Sequence, residues 1–354
     1  MGSLIDAGLE QKISDILSRR FHFAGENPLC DWLRAEARFR LFARSKQTGT
    51  FALETYLFKP LVTEERGETQ QEPLCVHSLD SMLSKVKLPS MPQVFYELQA
   101  LMERNDVTVQ ELAQVISLDP KMTSSILRLV NSALFNFQSS IDTVSRAIAV
   151  LGMRQVSTLA LGTFMLGLFK ERPDTCPNIG QFWEHSIAVG MATQSLAKLA
   201  GRDGLERYFV AGLVHDIGWL ALTCSQHNLL QMVLQRADEE NCSLLEAEGR
   251  SLGMTHAVLG ARLFETWSLP PNLVAAVRYH HNPSACTEFD EPVFVHVADT
   301  LVRGMGYSST DDCRVAPVDI SAWEAMELKT AELGEVIEKL DRELATLCKV
   351  LLIS

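Results

Sequence analysis

The chain has 354 residues, 47% of them hydrophobic, with 44 acidic and 32 basic side chains and a formal net charge of −12. This is enough apolar material to core two or three domains, and it excludes a disordered chain. The negative balance disfavours non-specific binding to nucleic acid or to an anionic membrane, so neither partner is expected.

The first 75 residues are the hardest to read. "LIDAGLEQKISDILSRRF" has Leu4, Ile5, Leu9, Ile13 and Ile16 near helical spacing, whereas "DWLRAEARFRLFARSKQTG" is basic and amphipathic and suits helix or strand. The start has no apolar signal core, and no apolar run is expected to reach the roughly 18 residues of a membrane span. The eight cysteines form no CxxC pair and are irregularly spaced, which reads as free thiols in a reducing compartment and a cytoplasmic location. Residues 62–80 are polar, with Gly67 and Pro73, and read as a linker.

Beyond the linker the pattern is helical throughout. Leu88-Pro89 and Met91-Pro92 shape the first helix junction, because proline restricts the residue before it. "PQVFYELQALMER" reads as one helix and "TVQELAQVISL" as the next, with Thr108 and Glu111 spaced for a capping box. Asp119-Pro120 suits a cap and a first helical turn for "KMTSSILRLVNSALF". Gly152 ends "IDTVSRAIAVLG", and "MRQVSTLALGTFMLGLF" follows. Asn131, Arg128 and Arg146 read as structural, Asn131 by bonding a nearby backbone group and Arg128 by pairing with a carboxylate such as Asp119. "ERPDTCPNIG" over 171–180 is an internal boundary; helices then run to about 305, a loop spans 306–320, and a terminal helix places Leu333, Val336, Ile337, Leu340, Leu344 and Leu347 on one face for docking. No strand series alternates regularly enough for a large sheet, so the fold class is all-α.

Seven of the nine histidines lie between 181 and 299. The run "FVAGLVHDIGWLAL" carries His215 and Asp216 side by side in apolar surroundings, where an unpaired polar group is costly. The two either serve as core polar residues bonded to backbone, or reach a metal ion from a helix end, where Gly218 permits a local ending or a close helix approach. Imidazole and carboxylate suit zinc, iron or manganese. His227 sits in a polar stretch and reads as a surface residue.

His185, His215-Asp216 and Asp299 resemble, in order, the H…HD…D signature of the HD phosphohydrolase superfamily. His256 and His280-His281 resemble the added ligand positions of its HD-GYP branch, whose members hydrolyse cyclic dinucleotides at a two- or three-metal site. "LPSMPQVFYEL", "ELAQVISLDPKMTSSILRLVNSALF", "GMTHAVLGARLFETWSLP" and "AVRYHHNP" are similar to the HDOD family, helical and bacterial, over roughly residues 82–305. The resemblance implies an N-terminal helical subdomain (82–170) and an HD-like one (181–305), flanked by an N-terminal extension or small module (1–75) and a C-terminal helix (320–354). It implies a metal set of His185, His215, Asp216, His256, His280, His281 and Asp299 holding one or two ions, with Glu184 beside it and His296 either orienting a ligand or lying in an ordinary interface.

Two departures stand out. Trp219 occupies the position of the HD-GYP branch's HDIGK lysine, where it stacks on a base or fills core, and no GYP signature follows the paired histidines. Both count against cyclic dinucleotide hydrolysis. The leading expectation is a signal-transduction or regulatory module that contacts a protein partner, with a metal or nucleotide as modulator. The alternative is a metal-dependent phosphohydrolase acting on a nucleotide or other phosphoester, with Asp216 and His256 as catalytic candidates. No nucleophilic-serine or P-loop motif is present.

Overall fold

A computed structural model describes residues 2–48, 91–104, 106–135, 137–170, 179–309, 312 and 314–352. The linker over 62–80, Leu88-Pro89 and most of the 171–180 boundary lie outside the described residues. Every described element is helical, which bears out the all-α reading.

Two helices, α1 (Gly2–Arg20) and α2 (Pro28–Thr48), make up the described N-terminal part. The ambiguous basic stretch is therefore helix, and Leu9, Ile13 and Ile16 close against Leu41. Next come α3 (Gln93–Glu103), α4 (Val109–Ser117), α5 (Pro120–Val130), α6 (Val144–Leu151) and α7 (Met153–Lys170). Their ends follow local chemistry. Thr108 and Glu111 form the reciprocal capping box. Asp119 caps α5 through the amides of Lys121 and Met122, with Pro120 in the first turn. Gly152 ends α6 at φ +99°, a conformation that glycine adopts without penalty. The Asn131 amide donates to the Leu127 and Ile141 carbonyls and accepts from the Ile141 amide, tying the end of α5 to the following loop. Arg128 donates to the Ser124 carbonyl, and Arg146 to Ser139.

The second half is built around α8 (Ile179–Leu199), which buries residues on every side, as a helix apolar all round must. It packs against α9 (Leu205–Val214), α15 (Glu291–Gly304) and α17 (Thr330–Leu352). Between them run α10 (Ile217–Ser225), α11 (His227–Glu239), α12 (Leu244–Leu252), α13 (His256–Thr266) and α14 (Pro271–Tyr279). The 320–352 stretch contains two helices rather than one, because a short α16 (Ile320–Ala325) precedes α17. Leu333, Val336, Ile337, Leu340, Leu344 and Leu347 are all buried, so α17 docks within its own chain.

Two further expectations need correction. The stretch Leu205–Ser225 is long and apolar enough to cross a membrane, with a mean hydropathy of 1.2, but 83% of that window is buried in the core of this fold. Cys30, Cys242, Cys286 and Cys348 are free, whereas Cys224 is disulfide-bonded. Sequence spacing does not reveal a pairing that depends on where the chain folds back.

Candidate metal centre

The break between α9 and α10 is the origin of the site. Val214 ends one helix, Ile217 begins the next, and His215 and Asp216 occupy the corner between them. Gly218, one step into α10, lies so close to α13 that a Cβ there would sit 2.0 Å from the His256 carbonyl oxygen and 2.8 Å from the Gly260 nitrogen. This backbone contact brings His256, at the first position of α13, against Asp216. Asp299 reaches in from α15, His185 from α8, and His280-His281 from the end of α14.

Two ligand groups result, each with its donor atoms within 4.8 Å of one another: His185, His215 and Asp299, and Asp216, His256, His280 and His281. Asp216 joins them. Its Oδ2 lies 3.4 Å from His215 Nε2 and 3.8 Å from His185 Nε2, while its Oδ1 lies 3.2 Å from His256 Nε2 and 3.5 Å from His280 Nε2. All seven expected residues thus meet in one place, and six are buried, with His281 partly so. The clusters are able to coordinate a divalent metal ion.

Four of the five imidazoles are oriented from behind. Nδ1 of His185 donates to the Tyr307 carbonyl, that of His215 to Gly212, and that of His280 to Val277. His256 Nδ1 faces Glu248 Oε1 at 2.7 Å, and the same carboxylate accepts the His256 amide. A donating Nδ1 leaves the Nε2 lone pair free for a ligand. The Nε2 atoms of His185 and His215, and Asp216 Oδ1, are buried without hydrogen-bond partners. His256 Nε2 also faces His280 Nε2 at 3.3 Å and His281 Nε2 at 3.1 Å. Lone pairs gathered this way repel unless a cation or an extra proton lies among them. The donor set therefore fits a divalent ion.

Without an ion, protonation takes up the strain. Burial opposes charge on His256, but Glu248 and Asp216 outweigh it and push its pKa up to about 10. Burial lowers His280 to about 4 and holds His281 and His185 down as well. Burial also opposes charge on His215, yet the Asp216 carboxylate raises its pKa. Asp299 is held well below the usual carboxylate range against its burial, mainly by Arg303.

Arg303, Glu248 and Ser309 escape the sequence reading. Arg303 Nε donates to both oxygens of Asp299 at 2.9 and 3.1 Å, and its Nη2 to Asp216 Oδ2 at 3.3 Å. Ser309 Oγ donates to the same Asp216 oxygen at 2.8 Å. The four-residue spacing of Asp299 and Arg303 on one helix was a visible signal of their pairing; the reach to Asp216 was not. Glu184 is exposed and in neither group, and His227 is exposed at the start of α11. His296 is buried, donating Nδ1–H to the His280 carbonyl and accepting the Asp319 amide at Nε2, so it pins the backbone of a ligand-bearing residue. Trp219 is core, with its ring tilted against His256 at 5.5 Å between centroids.

A cavity of about 30 Å³ adjoins the second group, with His256, His281, Arg303, Arg314 and Phe23 in its wall. Such a space holds about one water molecule. Phe23 and Arg314 meet in this wall, the guanidinium lying 5.4 Å from the ring centroid, and the Val315 amide donates a hydrogen bond to the Arg20 carbonyl.

The HDOD domain model matches residues 88–283, more than half of the chain. The chain belongs to the HDOD family. A Treponema pallidum (strain Nichols) protein, described only as uncharacterized, is 26% identical over 212 residues, which make up 60% of this chain and 41% of that protein. The match thus spans about two-fifths of that relative's length. An HDOD domain protein of unknown function from Geobacter sulfurreducens has a TM-score of 0.59 and 22% identity, covering 77% of this chain and 95% of its own. A protein from Shewanella amazonensis SB2B, provisionally described as a phosphohydrolase, also has a TM-score of 0.59, with 24% identity over 76% of this chain and 97% of its own. A protein from Marinobacter aquaeolei VT8, provisionally described as acting in signal transduction, has a TM-score of 0.57 and 18% identity, covering 84% of this chain and 64% of its own. At these identities the likenesses show a shared fold.

Proposed function

We propose that this HDOD protein is a metal-dependent phosphohydrolase of the HD type, acting on a nucleotide or other phosphoester. The observation that carries this reading is the convergence of imidazole Nε2 atoms on a divided Asp216 carboxylate, with the Nδ1 atoms of His185, His215, His256 and His280 engaged from behind. In this reading His185, His215, Asp216 and Asp299 form one ligand set and Asp216, His256, His280 and His281 the other, for one or two ions of iron, zinc or manganese. In the same reading 82–170 and 181–305 form the HDOD unit, around the 88–283 span of the family model, with 1–75 and 320–354 added to it.

Such an ion, when bound, supplies a water of lowered pKa and a clamp for phosphoryl oxygens. The chain's own groups do the rest. Asp216 divides its two oxygens between the ligand sets. Glu248 fixes His256 and keeps its ring basic. Arg303 and Arg314 put positive charge in the cavity wall beside His256 and His281, where an anionic ester would approach. Phe23, Arg314 and the segment around Val315 must move to admit a substrate, because the cavity they line holds no more than about one water.

The small size of that cavity favours a second reading, a cytoplasmic regulatory module in which a protein partner is the output and a metal or nucleotide sets the conformation. One experiment separates the two. Wild type and Asp216→Ala, purified without an affinity-metal step, are assayed for metal content and for hydrolysis of bis(p-nitrophenyl) phosphate and a nucleotide panel. Metal-dependent turnover that is lost in Asp216→Ala supports the enzyme. A wild type that holds metal yet hydrolyses none of them supports the module.

A further inference from the structure

Arg303 is charged at any accessible pH, and it stands among metal ligands with only 5% of its surface exposed. Its guanidinium takes both oxygens of Asp299 and one of Asp216. Its remaining hydrogen bonds among the described residues are with the hydroxyls of Ser308 and Ser309, at 3.5 and 3.3 Å. These are neutral partners, and an ion displacing Arg303 from the carboxylates would leave it a buried cation facing another cation.

The other side of Asp216 differs. Oδ1 accepts no hydrogen bond, and it points at the Nε2 atoms of His256 and His280. Arg303 forms no hydrogen bond with Oδ1, His256, His280 or His281. With the imidazoles in the neutral form that ligates a metal, the charged groups of the centre among the described residues are the carboxylates of Asp216, Asp299 and Glu248 and the guanidinium of Arg303, while Arg314 and Asp312 on the rim pair at 2.8 Å. The sum is minus two, which one divalent ion cancels and two would overshoot.

We propose that Arg303 is a built-in cation that takes the place of one metal ion, so that the centre binds a single divalent ion, on Asp216 Oδ1, His256, His280 and His281. This inference rests on the metal-binding reading above and narrows it. His185, His215 and Asp299 then enclose an ion pair with Arg303 rather than a second metal.

The test is metal stoichiometry on full-length protein loaded with Mn²⁺ and freed of excess. Wild type should hold one Mn²⁺ per chain and give the six-line paramagnetic resonance spectrum of an isolated ion. Arg303→Met, which keeps most of the volume without the charge, should rise to two per chain with a broadened, coupled spectrum. Arg303→Lys should stay at one. His281→Ala, at the partly exposed edge, should lose at least ten-fold in affinity for the single ion. Two coupled ions in wild type would overturn the proposal while leaving metal binding intact, and so would an Arg303→Met protein that folds as wild type and still holds one. If Arg303→Met fails to fold, the wild-type spectrum and the His281→Ala affinity decide: a coupled spectrum, or an unchanged affinity, overturns it. No metal in any of the proteins overturns both this proposal and the reading beneath it.

Discussion

Gly218 should be the least replaceable small residue of the centre. Adding a Cβ places it 2.0 Å from the His256 carbonyl oxygen, whereas ordinary contact starts at 3.4 Å, so α10 and α13 must separate by about 1.4 Å. The atom struck is backbone, which cannot rotate away. Overpacking of this kind costs about 1–3 kcal/mol, and the upper end applies where the neighbour is rigid. At roughly 2–4 °C per kcal/mol for a domain of this size, Gly218→Ala should melt about 6–12 °C below wild type. The same shift carries His256 away from Asp216, whose atoms now lie 3.2 Å apart, and it exceeds the roughly 0.2 Å tolerance of a metal site several-fold. Metal on this ligand set should therefore fall well below one per chain. Gly249→Ala is the control, because Gly249 lies in α12 with nothing within 4 Å of an added Cβ, and it should be stabilising by about 0.5–1 kcal/mol. Thermal melts with metal analysis decide the matter. A Gly218→Ala protein that melts within about 2 °C of wild type with full metal content would refute the claim that this backbone contact sets the site.

Glu248→Gln keeps the shape behind His256 but removes the charge that makes its ring basic, and should weaken metal affinity about 10–100-fold in a competition titration with a coloured chelator. Stability of the metal-free protein should peak near pH 6.5. His256, raised to about 10, stabilises fully below its ordinary value and loses that contribution as pH rises through 10, whereas His280, lowered to about 4, contributes above 6.5 and loses its share as pH falls through 4. Urea unfolding across that range checks this, and His256→Ala should lose most of the alkaline decline. Asn131→Ala strands the Ile141 amide and carbonyl and should cost about 1–3 kcal/mol in the same assay without changing metal content.

Much of this protein was legible from neighbouring residues alone. Helix ends at Thr108, Asp119 and Gly152 follow from chemistry within four positions, so pattern reading placed them. The ligand residues were recognisable because the HD corner and its partner blocks occur in a fixed order along the chain. The docking face of α17 followed from periodicity. What the residues would do to one another was not legible. Arg303 meets Asp216 across 87 positions, and Glu248 reaches His256 only because Gly253, Met254 and Thr255 turn the chain back between α12 and α13. Phe23 and Arg314 meet in the cavity wall from opposite ends of the chain. The apolar stretch Leu205–Ser225 reads the same whether it meets lipid or protein, and only its neighbours bury it. Local order depends on backbone chemistry within a turn or two, which sequence determines directly. Charge balance, access and the pairing of Cys224 depend on which distant segments converge, and packing alone decided those.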